Sequence, residues 1–451
     1  MIDQTIFRAY DIRGVCEEQI TNESAYIIGK SFGSYVLNKG VKDVLIGYDN
    51  RLSSPELANN LIKGLIETGV NVTILGLVTT PMFYFARYHL NMWASIMITA
   101  SHNPSNHNGF KISFDSRGNA SGQEIVDFRD FTNKGEFLSG IGEFKTYDIE
   151  DEYINLIVNN LKLGNRKIKA VFDAGNGTVS VIIKNILDKL NIEYDLLYCD
   201  SNPLFPNHHP DPSVSENLID LQKRVVELNY DLGIAMDADG DRVRIIDNKG
   251  NIINSDIYMI IMYRYLNNNL KNRKALYDVK CSKALIDELD KLNIPHMMYK
   301  TGNSYMYRKT HELNLDFSGE YSGHMWFNDR FFGFDDGLYA GLRMIEILSN
   351  SNKTMEELCE NINIYYSTDE YRIETTEEKK YQVVSKVKEY AISKGYKFND
   401  IDGIRVEFDY GWALIRCSNT SALVSARFEA NNKQKLEEIK EEFINLINIY
   451  K

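Results

Sequence analysis

Paired cysteines are missing from this chain. Cys16, Cys199, Cys281, Cys359 and Cys417 are odd in number, widely scattered and free of any CxxC spacing. That excludes a disulfide framework and a cysteine zinc site, and predicts reduced thiols in a cytoplasmic protein. Positive charge is also in deficit: 51 Lys and Arg stand against 63 Asp and Glu, a formal net charge of -12. This disfavours nucleic acid or an anionic membrane as partner, and an anionic substrate must then be held by a local cationic cluster. No apolar run reaches the length of a membrane span. The start MIDQTIFRAY lacks a basic stretch followed by an apolar one, so no secretory signal is expected. What remains is a soluble globular composition, 43% hydrophobic and 25% charged. At 451 residues the chain is too long for one core and suits roughly three or four domains.

One arrangement recurs three times: an apolar strand ending in an aromatic–Asp pair, a short loop, a helical segment and another strand. The copies run from VLIGYDN (44–50), KAVFDAGNG (169–177) and KALYDVKCS (274–282), with Asp49, Asp173 and Asp278 at the strand ends. In the second copy the helix is expected through IIKNILDKL. Such repetition predicts three related βα modules with mostly parallel sheets, whose loops beyond the strand ends are where ligands bind. The C-terminal segment differs: two helical patterns flank the alternating strands IRVEFDYGWALIRC and ALVSARFEA, which predicts a small α+β domain with an antiparallel sheet. Borders are placed at 1–146, 147–253, 254–366 and 367–451.

Two segments carry the chemistry. TASHNPSNHNG (99–109) follows the buried-type strand SIMIT and is rich in turn formers, so Ser101 is expected at an exposed loop, with His102 beside it and Lys111 folding back toward it. DADGDR (237–242) sets Asp237, Asp239 and Asp241 around a bend at Gly240. Three carboxylates so close repel one another, at about 4 kcal/mol per contact for 4 Å and an effective dielectric near 20. A cation relieves that, and oxygen ligands alone suit Mg2+. Ca2+ is the rival, because DxDGD resembles half of an EF-hand loop, but the bidentate Glu is absent and the context is a strand end. A phosphoserine with three aspartates sums to about -5, and Mg2+ leaves about -3. Arg242, Lys111 and Arg13 are the candidate neutralising cations. Together the two segments describe a phosphoserine–metal centre.

Other segments are weaker alone. FRAYDIRG (7–14) offers Tyr10 and Arg13, which by themselves read as a surface pair. GEYSGHMWF (319–327) clusters Glu320, Ser322 and His324; a carboxylate near a hydroxyl suits vicinal sugar hydroxyls, though a strand-to-loop junction reads equally well. RCSNTS (416–421) combines a guanidinium, hydroxyls and loop N–H groups, enough for a phosphate cradle; the plainer reading is a polar hairpin turn. His208 and His209 in FPNHHPDPS are flanked by prolines and read as an ordered connecting loop.

TASHNPSNHNGFKI resembles the active-site serine loop of the α-D-phosphohexomutases, the superfamily of phosphoglucomutase and phosphomannomutase. DADGDR is similar to that family's metal loop, and the other segments follow in the family's order along nearly the whole chain. The resemblance implies three related α/β domains and a C-terminal α+β domain around a central cleft. It implies a phosphoserine at Ser101 and one Mg2+ per chain, held by Ser101, Asp237, Asp239 and Asp241. It further implies interconversion of hexose 1-phosphate and hexose 6-phosphate through a 1,6-bisphosphate that also serves as activator. Arg13, Lys111, Arg242 and His324 fall on catalytic positions, with Lys111 and His324 both candidates for the general base. Tyr10, Lys280, Gly302, Glu320, Ser322, Arg416, Ser418, Asn419 and Thr420 fall on substrate-binding positions. The last domain is expected to close over the substrate.

Three positions depart from the family pattern: Tyr321 for a common methionine, Asn303 for a histidine of the dual-specificity branch, and Ala422 for a proline. The expected partner is a small phosphosugar of glucose or mannose type, acted on by a monomer or dimer. Alternatives are a phosphoglucosamine mutase of the same superfamily, an Mg-dependent sugar phosphatase with Asp237 as nucleophile, and a non-catalytic sugar-phosphate sensor.

Overall fold

Helix Ser54–Ile66 shows how local sequence becomes architecture. Pro55 and Glu56 favour its first turn, and Leu57, Ala58, Leu61, Ile62 and Leu65 recur on one buried face. That face meets helix Asn22–Leu37, which starts in a reciprocal Thr21–Ser24 capping box. The two helices touch backbone to backbone: a Cβ on Gly29 would stand 2.2 Å from Leu61 O, and one on Gly64 2.2 Å from Tyr26 O. Only glycine fits at either position.

A computed structural model of the chain describes residues 2–418 and 422–451. It divides into two compact units. The first takes the chain up to Asn254 with Tyr307–Phe317 and Ser322–Leu358. Its six-stranded sheet has the order Ile12–Val15, His107–Ser113, Ser95–Ile98, Asp43–Tyr48, Asn71–Leu77, Phe144–Thr146. The last four run parallel, and His107–Ser113 and Ile12–Val15 add antiparallel at one edge. A five-stranded sheet repeats the plan: Lys169–Asp173, Glu193–Leu197 and Leu232–Met236 are parallel, then Val243–Asp247 and Ile252–Ile253 turn antiparallel. In both sheets one hairpin joins a parallel strand to an antiparallel one. Ser101 lies on the first of these hairpins and the three aspartates on the second.

The expected helix through IIKNILDKL is shorter than its pattern. A 3-10 turn at Thr178–Val181 precedes helix Ile183–Leu187. The β-branched run Thr178, Val179, Val181, Ile182 and Ile183 resists α-helix before Ile183, and at the other end the helix stops at Leu187 with Asp188 as its cap.

The second unit takes Ser255–Met306, Ser318–Tyr321 and Cys359–Lys451. Strand Ala275–Asp278 runs parallel to His296–Tyr299 and sets Tyr277 opposite Gly319. An antiparallel sheet follows, with Leu423–Ala430, Gly411–Cys417 and Ile404–Phe408 at its centre. Helices Glu377–Ser393 and Lys433–Tyr450 pack on it through Val383, Val387, Phe428 and Phe443. Arg405 Nη1 donates to the carbonyls of Val279 and Cys281 at 2.8 Å each, and Lys283 N donates to Glu429 Oε1 at 2.8 Å. These bonds tie the loop after Asp278 to the sheet.

The three repeated aspartates are at most 1% exposed, and each braces the loop after its strand. Asp49 accepts from Arg51 and Ser54. Asp173 accepts from Gly175 N and contacts His208. Asp278 accepts from Thr301 Oγ1 and Tyr321 N. No helix among the described residues is long and apolar enough to cross a membrane.

Candidate active site

Ser101 ends its strand in a left-handed backbone conformation, φ 49°, that a non-glycine residue adopts only when its surroundings impose it. Its N–H donates to Thr99 Oγ1 at 2.9 Å, and its hydroxyl donates to Asp237 Oδ2 at 2.9 Å. His102 Nδ1 lies 3.3 Å from the same hydroxyl. The loop tip at Pro104, Ser105 and Asn106 is exposed as expected, but the serine itself is a correction: Ser101 is 2% exposed, because the acidic loop packs against it.

All three aspartates are fully buried. Gly240 takes φ 84°, which bends the loop so that Gly240 N and Arg242 N both donate to Asp237 Oδ1 at 3.1 Å. Lys111, expected beside the Ser101 hydroxyl, pairs with the acidic loop. Its Nζ donates to Asp239 Oδ2 at 2.8 Å and to Asp241 Oδ2 at 2.6 Å. Thr80 Oγ1 adds a 2.7 Å bond to Asp239 Oδ2.

The other oxygens, Asp239 Oδ1 and Asp241 Oδ1, are buried without a hydrogen-bond partner. One oxygen from each of the three acids lies within 4.8 Å of the others. Buried, unsatisfied, convergent carboxylate oxygens fit a hard divalent cation. Burial, then the charges of Asp241 and Asp239, push the Asp237 carboxyl well above the carboxylate range. For Asp239 burial acts the same way, but the Lys111 charge and hydrogen bond overcome it and hold the group low. Burial likewise opposes the Lys111 charge, and the two acids outweigh it, raising that pKa well above its ordinary value.

The remaining first-unit candidates surround this centre. Arg13 donates to Asp11 Oδ2 at 2.6 Å and to Asn103 Oδ1, on the serine loop, at 2.8 Å. Arg242 Nε lies 3.8 Å from Asp237 Oδ2 and donates to His324 Nε2 at 3.0 Å. A guanidinium only donates, so the His324 ring proton sits on Nδ1, which donates to Asp335 Oδ2 at 2.6 Å. Burial works against the Arg242 charge, but Asp237, Asp211, Asp241 and the Tyr10 phenol outweigh it and raise its pKa. Ser322 is half-buried two residues before His324.

In the second unit, Glu320 is 1% exposed and its Oε1 accepts Gly302 N at 2.6 Å. Arg416 Nη2 donates to Asp402 Oδ2 at 2.6 Å, and the same oxygen accepts Thr301 N at 2.9 Å. Lys280 Nζ stands 3.7 Å from Glu370. The Arg427 guanidinium lies 3.8 Å over the Tyr321 ring and donates to Lys280 O at 2.7 Å. Ser418 N donates to Leu423 O at 2.9 Å. Asn419 and Thr420 lie outside the described residues.

Sequence reading missed Arg51, Asp335, Asp402 and Thr80. Asp335 and Asp402 sit in FDDG and DG runs that look like ordinary turn or capping acids, and Arg51 in YDNR looks like a loop cation.

The family descriptions for phosphoglucomutase/phosphomannomutase alpha/beta/alpha domains I, II and III match residues 4–137, 151–250 and 254–365, and the C-terminal domain matches 370–446. A phosphomannomutase/phosphoglucomutase of Pseudomonas aeruginosa is 38% identical over 441 residues, covering 98% of this chain and 95% of that one. A phosphoglucomutase of Neisseria meningitidis is 36% identical over 446 residues, covering 98% and 96%. Among solved structures, a phosphoglucomutase/phosphomannomutase family protein of Burkholderia thailandensis aligns with a TM-score of 0.92 at 35% identity, covering 100% of this chain and 98% of that one.

Proposed function

The chain belongs to the phosphoglucomutase/phosphomannomutase family, and from that premise we propose that it interconverts the 1- and 6-phosphates of glucose or mannose, with Ser101 as phosphoryl carrier. The observation that carries this reading is the 2.9 Å contact between the Ser101 hydroxyl and Asp237 at the edge of the three-acid cluster.

In the first half-reaction the free hydroxyl of the bound hexose phosphate attacks the phosphorus of phosphoserine. A new O–P bond forms, the bond from phosphorus to Ser101 Oγ breaks, and the hydroxyl proton passes to a base. The product is a hexose 1,6-bisphosphate. It turns over within the site, and Ser101 Oγ then takes the other phosphoryl group in the reverse sense. Mg2+ held by Asp237, Asp239, Asp241 and a phosphoserine oxygen would neutralise charge on the transferring group. Arg13 and Lys111 supply further positive charge at the serine loop.

His324 is assigned as the proton acceptor. Its Nδ1 proton is committed to Asp335, so Nε2 is the basic atom, and it takes a substrate proton once the Arg242 Nε–H that it accepts at 3.0 Å is displaced; two carboxylates hold the Lys111 ammonium charged. Glu320 and Ser322 recognise sugar hydroxyls. Arg416, Ser418, Asn419 and Thr420 hold the phosphate that is not reacting, and Tyr10, Lys280 and Gly302 add substrate contacts. A phosphatase with Asp237 as nucleophile is less well supported, because it leaves the Ser101 loop and the Arg416 loop without a role.

The test is a coupled assay on glucose 1-phosphate and mannose 1-phosphate, with and without glucose 1,6-bisphosphate. Isomerisation stimulated by the bisphosphate is expected. Release of inorganic phosphate without isomerisation would overturn the assignment.

A further inference from the structure

The tripeptide Asp49–Asn50–Arg51 follows the first repeated strand and has no part in the chemistry described so far. Arg51 is 1% exposed, and each of its five N–H donors has a partner. Nη2 donates to the carbonyls of Ser101 and Asn103 at 2.6 Å each, and Nη1 to those of Pro104 at 2.6 Å and His107 at 3.0 Å. Nε donates to Asp49 Oδ2 at 3.2 Å, and Asp49 is itself fixed by Ser54 Oγ at 2.6 Å. One buried guanidinium therefore holds four backbone oxygens of the serine loop, including that of Ser101, whose backbone is in the left-handed region.

Asn50 faces the other way. Its N–H donates to Thr178 Oγ1 at 3.1 Å, its Nδ2 donates to Asn176 O at 2.8 Å, and Thr178 Oγ1 donates back to Asn50 Oδ1 at 3.2 Å. The held segment abuts the acidic loop: Thr178 N donates to Ala238 O at 2.6 Å, and a Cβ on Gly177 would stand 2.6 Å from the same oxygen. Two adjacent residues thus grip the serine loop and, through Thr178, the acidic loop.

We propose that Asn50 and Arg51 are positioning residues for phosphoryl transfer: together they set the placement of Ser101 against Asp237, Asp239 and Asp241. Neither touches the reacting atoms. Their effect is to hold two loops from different sheets in one register, so that Ser101 Oγ is presented to the acids without rearrangement. Arginine is required because lysine has three donors and no planar fork, and so cannot hold four carbonyls at once. This inference rests on Ser101 being the phosphoryl carrier.

The test compares Arg51→Lys, Arg51→Ala and Asn50→Ala with Ser101→Ala in the coupled assay, with thermal unfolding as a folding check. A misplacement near 1 Å lowers kcat about a hundredfold for Arg51→Lys, while KM for the hexose phosphate stays within about threefold. Asn50→Ala loses about tenfold in kcat by the same argument. Millimolar guanidinium, but not methylammonium, restores turnover to Arg51→Ala by refilling the buried fork.

Wild-type kcat in folded Arg51→Lys overturns the proposal. So does a loss carried by KM, or an Arg51→Ala variant that guanidinium does not rescue. If the Arg51 variants do not fold, Asn50→Ala decides, and wild-type kcat there overturns the proposal. Turnover that survives in Ser101→Ala would instead overturn the carrier role itself, leaving the two failures distinguishable.

Discussion

The ammonium of Lys111 lies 2.6 Å from Asp241 Oδ2, in a buried acidic cluster where Asp239 Oδ1 and Asp241 Oδ1 lack donors. The lysine is thereby a counterion for the same carboxylates that suit a divalent cation, and it links metal binding to stability. Lys111→Met leaves buried acids uncompensated and destabilises the metal-free protein by about 3–5 kcal/mol. Added Mg2+ should recover a large part of that loss, seen as a larger Mg2+-induced rise in unfolding temperature than in wild type. An equal rise in both proteins would contradict the shared counterion role.

Asp239→Asn and Asp241→Asn each remove a charged ligand and should weaken Mg2+ binding by about a hundredfold or more, read by titration calorimetry. Chelation should stop turnover in the wild type, and Mg2+ should restore it. Unchanged affinity in both variants would place the cation elsewhere.

Arg416 and Thr301 N share the same oxygen of Asp402. Arg416→Ala removes the charged donor assigned to the non-reacting phosphate and should raise KM about 10- to 100-fold, while Ser101 still takes up phosphate from the bisphosphate. Wild-type kinetics in this variant would remove Arg416 from phosphate recognition.

His208 Nε2 lies 3.1 Å from Asp173 Oδ2. Burial alone would lower the imidazole pKa, but the hydrogen bond and charge of Asp173 overcome it and set it above 6.5. The folded value exceeds the unfolded one, so the stabilisation is full below pH 6.5 and is lost as pH rises through the folded pKa. The unfolding temperature of wild type should therefore exceed that of His208→Gln by more at pH about 5.5 than at about 8.5. A difference independent of pH would show that the pair does not stabilise the charged imidazole.

The parts of the fold and site that were legible in sequence are those written in contiguous residues. The three strand–loop–helix repeats show as a recurring pattern and the acidic loop by its charge density, whereas the serine loop shows only turn formers after an apolar strand and takes its meaning from the family resemblance. The shielding of Ser101 was not legible, because the acids against it come from 136 positions away. Arg51 was hidden for the same reason: its partners are backbone carbonyls 50 to 56 residues downstream, which no side-chain pattern records. Asp402 meets Thr301 across 101 positions. Asp335 lies only 11 residues from His324, yet reads as a capping acid until the imidazole is seen against it.

The most direct measurement is peptide mapping by tandem mass spectrometry after incubation with glucose 1,6-bisphosphate and Mg2+. One phosphoryl group on Ser101, removed when hexose monophosphate is added in excess and absent from Ser101→Ala, is the predicted result. A turning-over enzyme with Ser101 unmodified throughout, or with the phosphoryl group on another residue, would contradict it.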